Sequence, residues 1–145
     1  MWLALLGSMA MAGDQEDIAA LVDGWHAAAA RADAPAYFGA MTDTAVFIGT
    51  DKTERWTRTE FEAFAKPYFQ RDSAWSYTPT GRHITVQSDV AWFDEQLTHA
   101  SYGDVRGSGV VVREPNGWKI AHYVLSFPIP NERAQEVIRL IKSAP

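Results

Sequence analysis

The spacing of apolar residues changes character once along this chain, near Trp75. Before that point it is helical. Ile18, Leu21, Val22, Trp25 and Ala29 recur at the spacing of one helix face. Asp14 is the expected N-cap, with Glu16 and Asp17 adding negative charge to the first turn. Asp33-Ala34-Pro35 ends this helix, because the residue before a proline avoids the α region. Pro35 then starts a short second helix through Met41, with Tyr37, Phe38 and Met41 as its apolar contacts. Ala45 to Gly49 reads as a short strand and Thr50 to Trp56 as a polar loop. Thr57-Arg58-Thr59-Glu60 has the spacing of a capping box, and Phe61, Phe64, Ala65, Tyr68 and Phe69 form the stripe of a third helix. Pro67 is expected to kink or stop that helix, since it removes the bond to the Ala63 carbonyl.

Four strand-like runs follow: Trp75 to Gln87, Val90 to Ser101, Val105 to Arg113 and Trp118 to Phe127. The links between them are so short that they join antiparallel neighbours. Pro115-Asn116-Gly117 is the strongest turn, with Gly117 free to take a left-handed conformation. Asn131 caps a tail helix carrying Val137, Ile138 and Ile141. Helices followed by a strand meander indicate an α+β fold, a curved antiparallel sheet wrapped around N-terminal helices.

Strict alternation in the last strand puts Trp118, Ile120, His122 and Val124 on one face, and Lys119, Ala121, Tyr123, Leu125 and Phe127 on the other. Both sets are mostly apolar, whereas a sheet with one wet face alternates apolar and polar residues. The face away from the helices therefore needs a partner. A homodimer through this outer sheet face is the expectation; the alternative is that the tail helix covers it.

The 145 residues suit one domain, over 13–145, with no repeat or linker inside it. A net charge of -5 without any basic run argues against nucleic-acid binding. The absence of cysteine removes disulfides, thiolate metal sites and cysteine nucleophiles. Six Trp, five Tyr and seven Phe imply either a heavily packed core or an aromatic-lined cavity. The apolar segment 1–12 ends in Ala10-Met11-Ala12, an A-x-A pattern like that of a signal-peptidase site. It is too short to span a bilayer and lacks a basic start. It reads as the remnant of an export signal, for a periplasmic or secreted protein, or else as a leader on a cytoplasmic one.

Several runs carry a family resemblance. Phe47-Ile48-Gly49-Thr50-Asp51 with Glu54-Arg55-Trp56, and Val90 to Glu95, are two of them. Others are Arg106 to Val112, Gly117-Trp118-Lys119-Ile120-Ala121-His122-Tyr123, and Leu125 to Glu132. Together they resemble the SnoaL-like branch of the nuclear transport factor 2-like superfamily. The resemblance implies a cystatin-like cone, with the sheet curled around the helices and a pocket at the open end. Proteins of that fold include isomerases, dehydratases, polyketide cyclases and a kinase association domain, so the fold does not select an activity. Val124 stands where the family often has a polar residue.

Acid-base chemistry in such a pocket needs a carboxylate or histidine in apolar surroundings. Asp94 and Glu95 are consecutive on a strand, so only one can face the pocket. The other reading of either is a salt bridge to Arg82, Arg106 or Arg113. His122 is the third catalytic candidate, or a core histidine bonded to a neighbour. His83 and His99 are weaker candidates, and His26 reads as a boundary residue of the first helix. Arg106, beside two glycines, is the candidate anion binder; Phe47, Trp56, Tyr68 and His122 complete the ligand-binding candidates. Asp51 and Glu54 lie in a loop that could act as a lid. Gly107 and Gly109 fall mid-strand and allow bending or close approach. The histidine spacing fits no metal site, and no cofactor motif is present.

The expected function is a small-molecule-binding domain with an aromatic, partly polar pocket. One alternative is a cofactor-free isomerase, dehydratase or cyclase using a pocket carboxylate and histidine. The other is a non-catalytic homo-oligomerisation module. The enzyme requires a carboxylate and a histidine or tyrosine within one hydrogen bond of a shared cavity.

Overall fold

The computed structural model describes residues 3–145, with side chains described from residue 13 onward. The leader reading rests on residues 1–12 and lies outside the residues so described. The chain forms α1 (Leu3–Ala30), α2 (Ala34–Gly39), β1 (Met41–Ile48), β2 (Arg55–Thr57) and α3 (Arg58–Phe69). Four long strands follow, β3 (Thr78–Gln87), β4 (Val90–His99), β5 (Gly103–Glu114) and β6 (Gly117–Ser126). A 3-10 turn (Asn131–Arg133) and α4 (Ala134–Ser143) end the chain.

The six strands make one sheet in the order β2-β1-β6-β5-β4-β3. The meander β3 to β6 is antiparallel throughout, and β1 joins β6 in parallel. That parallel contact is possible because α3 and the meander supply the long connection it needs. β2 comes from the segment read as a polar loop: Arg55 to Thr57 pair with β1 as an antiparallel edge strand.

Asp14 does not cap α1, which already runs from Leu3. Its carboxylate instead accepts from Arg113 Nη2 at 2.7 Å, and Arg113 Nε donates to Asp89 at 3.1 Å. This ties α1 to the β3–β4 turn and to the end of β5. α2 ends at Gly39, and Met41 opens β1 rather than closing a helix. Thr57 caps α3: Glu60 N donates to its hydroxyl, and Thr57 N donates to the Glu60 carboxylate. Pro67 lies inside α3, which continues to Phe69.

Strict alternation fails in β6. The register slips between Val110–His122 and Val111–Ile120, leaving Ala121 as an extra residue. This β-bulge reverses the phase of the strand. Trp118, Ile120 and Tyr123 are all buried on the helix side, while Lys119, His122 and Val124 are only half-buried. The two face sets expected from alternation are therefore mixed across the bulge. An outer apolar face persists on the other strands, where Trp92 is 46% exposed and Val90 42%. The tail helix leaves them open. It packs against the 3-10 turn, with Ile138, Leu140 and Ile141 themselves exposed.

Candidate functional site

Between the inner sheet face and the helices the aromatic residues do not close up completely. They surround a cavity of about 380 Å³, within the range of small-molecule sites. α1 contributes Trp25 and His26, α2 contributes Tyr37, and β6 contributes Tyr123 and Leu125. Phe47 from β1, Trp56 from β2 and Phe61, Phe64 and Tyr68 from α3 form the facing wall. Trp25 stacks on Tyr37 at 4.7 Å between ring centroids, and Phe47 stacks on Phe61 at 4.1 Å. Exposure rises along the cavity. Trp25, His26, Tyr37, Phe47 and Tyr123 are buried, whereas Arg71 and Tyr102 are open to solvent. The first group is the bottom and the second the mouth.

At the bottom stands one polar cluster built on Glu95, which is 1% exposed. Its inward direction follows from the alternation of β4, in which Ala91, Phe93, Glu95 and Leu97 are the buried set. Glu95 Oε1 lies 2.6 Å from His26 Nε2 and accepts from the Tyr123 hydroxyl at 2.8 Å. Oε2 accepts from Arg82 Nε at 2.9 Å. Arg82 Nη2 also stands 2.8 Å from Oε2 and 2.9 Å from Asp23 Oδ1, as ion pairs by distance without hydrogen-bond geometry. A charged carboxylate in such a place is tolerated only when it is paired and fully hydrogen-bonded.

Burial pushes the Glu95 carboxyl upward, but the bond and charge of His26, then the bond from Tyr123 and the charge of Arg82, outweigh it. The net direction is down, so Glu95 is ionised at neutral pH. Tyr123 is driven well above the ordinary phenol value, by burial first and then by the Glu95 charge, and remains a donor. An ionised Glu95 can only accept. Nε2 of His26 therefore carries the proton, and in the neutral ring Nδ1 is the acceptor. Nδ1 has no hydrogen-bond partner among the described residues, and His26 lines the cavity.

Gly107 makes the cluster possible. A Cβ there would overlap the Tyr123 hydroxyl, lie 2.6 Å from its Cζ and come within 3.1 Å of Glu95 Oε1. Gly109 has a similar role, since a Cβ would meet the Phe93 ring at 2.9 Å. The two mid-strand glycines let large inward side chains lie flat on β5.

Of the residues singled out from the sequence, Glu95, Phe47, Trp56 and Tyr68 are at the cavity or its polar floor. Asp94 faces outward, 3.4 Å from His83. His122 and Arg106 are corrections. Both lie on the outer side of the sheet, because β5 alternates with Gly107 inward and the Ala121 bulge turns His122 away. Neither lines the cavity. Arg82 is the salt-bridge partner of Glu95, not Arg106 or Arg113. His26, read as a boundary residue, sits instead at the centre of the site. Its only sequence signal is its place directly after Trp25 on the inward helical stripe.

The mouth carries its own polar groups. His99 is stacked on Tyr102 at 4.3 Å and tilted against Tyr77 at 5.0 Å. Tyr77 is pushed up to about 12, by burial first and then by Tyr102 and Glu54. Arg71 lies over the Tyr68 ring at 4.8 Å.

A search of solved structures finds the same fold repeatedly. One neighbour is a nuclear transport factor 2-like protein with a cystatin-like fold from Novosphingobium aromaticivorans. It is 14% identical at a TM-score of 0.71, covering 95% of this chain and 97% of that one. A candidate aromatic ring hydroxylase from the same organism is 22% identical at a TM-score of 0.68, with 81% and 91% covered. A candidate dehydratase of the nuclear transport factor 2-like family from Streptomyces avermitilis is 16% identical at a TM-score of 0.69, with 79% and 96% covered. At these identities the likeness concerns the fold alone. No curated protein matches the chain. The SnoaL-like domain profile matches residues 18–130, which include the whole sheet and every residue of the Glu95 cluster. The chain therefore belongs to the SnoaL-like domain family.

Proposed function

We propose that this protein binds a small, largely aromatic molecule and moves a proton on it, with His26 as the base and no cofactor required. The observation that carries this reading is the 2.6 Å contact between His26 Nε2 and Glu95 Oε1 beside a cavity that His26 itself lines. A binding module needs the cavity without such a pair.

The roles follow from protonation states. His26 Nδ1 accepts a proton from a C–H or O–H acid held against the aromatic walls. The ring becomes an imidazolium, and its Nε2–H bond to Glu95 becomes charge-assisted and stronger. Glu95 thus stabilises charge that develops only as the proton moves, which is the useful place to stabilise it. The bonds to Glu95 and the charge of Arg82 favour its ionised form, so Glu95 orients the ring and does not take the proton itself. The imidazolium can return the proton elsewhere on the ligand, which covers isomerisation, dehydration and cyclisation alike. The name of the Streptomyces neighbour belongs to the same group of reactions.

The test is deuterium uptake by 2-tetralone, a flat bicyclic ketone with acidic benzylic hydrogens, followed by NMR in heavy water. The protein is expected to accelerate exchange, and His26→Gln to remove the acceleration. Binding of the ketone without any acceleration would return the protein to a binding role.

The outer sheet face is proposed to pair with a second copy of the chain. Val46, Val90, Trp92, Val110, Val112 and Val124 are uncharged and at least partly open there. One self-complementary patch suffices for a two-fold dimer.

A further inference from the structure

The two histidines that line the cavity present opposite ring nitrogens to it. His26 turns Nε2 to Glu95, so in the neutral ring Nδ1 is left as an acceptor at the bottom. His99 is the reverse. Its Nδ1 accepts from the backbone N–H of Ser101 at 3.1 Å and of Tyr102 at 3.3 Å, so in the neutral ring the proton is on Nε2. That N–H has no acceptor among the described residues. Stacking on Tyr102 and a tilted contact with Tyr77 hold the ring in place.

Among the described residues Arg71 is the only Lys or Arg that lines the cavity, and it has no carboxylate partner there. Its guanidinium is stationed over Tyr68, in the wall below it. Among the described residues Glu54 is the only carboxylate that lines the cavity, and it is pressed against Gly49, where a Cβ would overlap it. Between bottom and mouth the lining is almost entirely aromatic.

From this polarity we infer that the ligand is a flat aromatic compound with polar groups at opposite ends. A hydrogen-bond donor meets His26 Nδ1 at the bottom, and a carboxylate meets His99 Nε2–H and Arg71 at the mouth. Arg71 and His99 are then specificity-determining residues, and Glu54 opposes the anion. The inference rests on the proposed role of His26 for its buried end only; the mouth end stands on His99 and Arg71. An apolar wall discriminates weakly between ring systems, whereas unpaired donors and acceptors discriminate strongly.

Calorimetric titration with 6-hydroxy-2-naphthoate, 2-naphthol and 2-naphthoate tests this. The hydroxynaphthoate is expected to bind at least tenfold more tightly than either single-group compound. Arg71→Met should erase the advantage of hydroxynaphthoate over naphthol, and Glu54→Gln should increase it. His26→Gln should erase its advantage over naphthoate. Equal binding of hydroxynaphthoate and naphthol to the unmodified protein would overturn the carboxylate assignment and leave the proton-transfer reading standing. Loss of the carboxylate advantage in Glu54→Gln would overturn it too. Failure of all three to bind would overturn the cavity reading together with this inference.

Discussion

His26 and Glu95 are 69 residues apart in sequence, and their side chains meet at 2.6 Å in the buried interior. One comes from the inward stripe of α1 and the other from the inward side of β4. Their meeting places a buried acid–base pair among the aromatic rings. Arg82, on the neighbouring strand β3, adds a cationic partner on the other carboxylate oxygen and so supports the ionised form.

Replacing Glu95 by Gln leaves Arg82 with only the largely exposed Asp23 as counter-charge. The expected destabilisation at neutral pH is about 3 kcal/mol, the scale for breaking a buried ion pair from one side. Its pH dependence has a definite sign. The folded-state carboxyl is depressed below its ordinary 4.5, so the unfolded chain binds the proton more readily. The stability Glu95 contributes is complete above 4.5 and is lost as pH falls through the folded value. Urea melts of both proteins across the acid range should therefore converge as pH falls. A gap that stays constant with pH would show that Glu95 is not an ionised partner of Arg82.

Gly107→Ala should destabilise the fold by about 1–3 kcal/mol, the range for overfilling a packed core. The added methyl has nowhere to go but the Tyr123 ring and hydroxyl. Tyr123→Phe alone removes a donor to a charged group, at about 1.5–3 kcal/mol. The double variant should lose less than the sum, because removing the hydroxyl removes the severest clash and leaves the new methyl only the ring carbon and the Glu95 carboxylate to meet. Additive losses in thermal or urea melts would mean that the two residues do not share one space.

Trp92→Glu places a charge among the exposed apolar residues of the outer sheet face, outside the cavity lining. Light scattering on a sizing column should show a dimer for the unmodified chain and a monomer for this variant. The variant should still bind 6-hydroxy-2-naphthoate, because the cavity lies on the opposite side of the sheet. A monomeric unmodified chain at high concentration would refute the pairing.

Much of the fold was readable because local physics wrote it. The 3.6-residue period of Ile18, Val22, Trp25 and Ala29, the Thr57–Glu60 box and the Pro-Asn-Gly turn each act within a few residues. The same reasoning failed where the cause was remote. Asp14 lost its capping role to a helix that begins earlier, and Arg55 to Thr57 became a strand only because β1 offers an edge. The bulge at Ala121 has no composition signal. It shows only in the pairing of β6 with β5, where it bends and twists the strand.

The sequence by itself determined a helical half, a hairpin half and an excess of aromatic rings to place between them. It also narrowed the inward carboxylate to one of Asp94 and Glu95, since neighbours on a strand point oppositely. Only the tertiary structure decided that Glu95 is the one, that His26 and not His122 stands beside it, and that Arg106 faces away. Which side chains meet across 69 residues depends on the curvature and register of a whole sheet, and those are collective properties that no short window of residues contains.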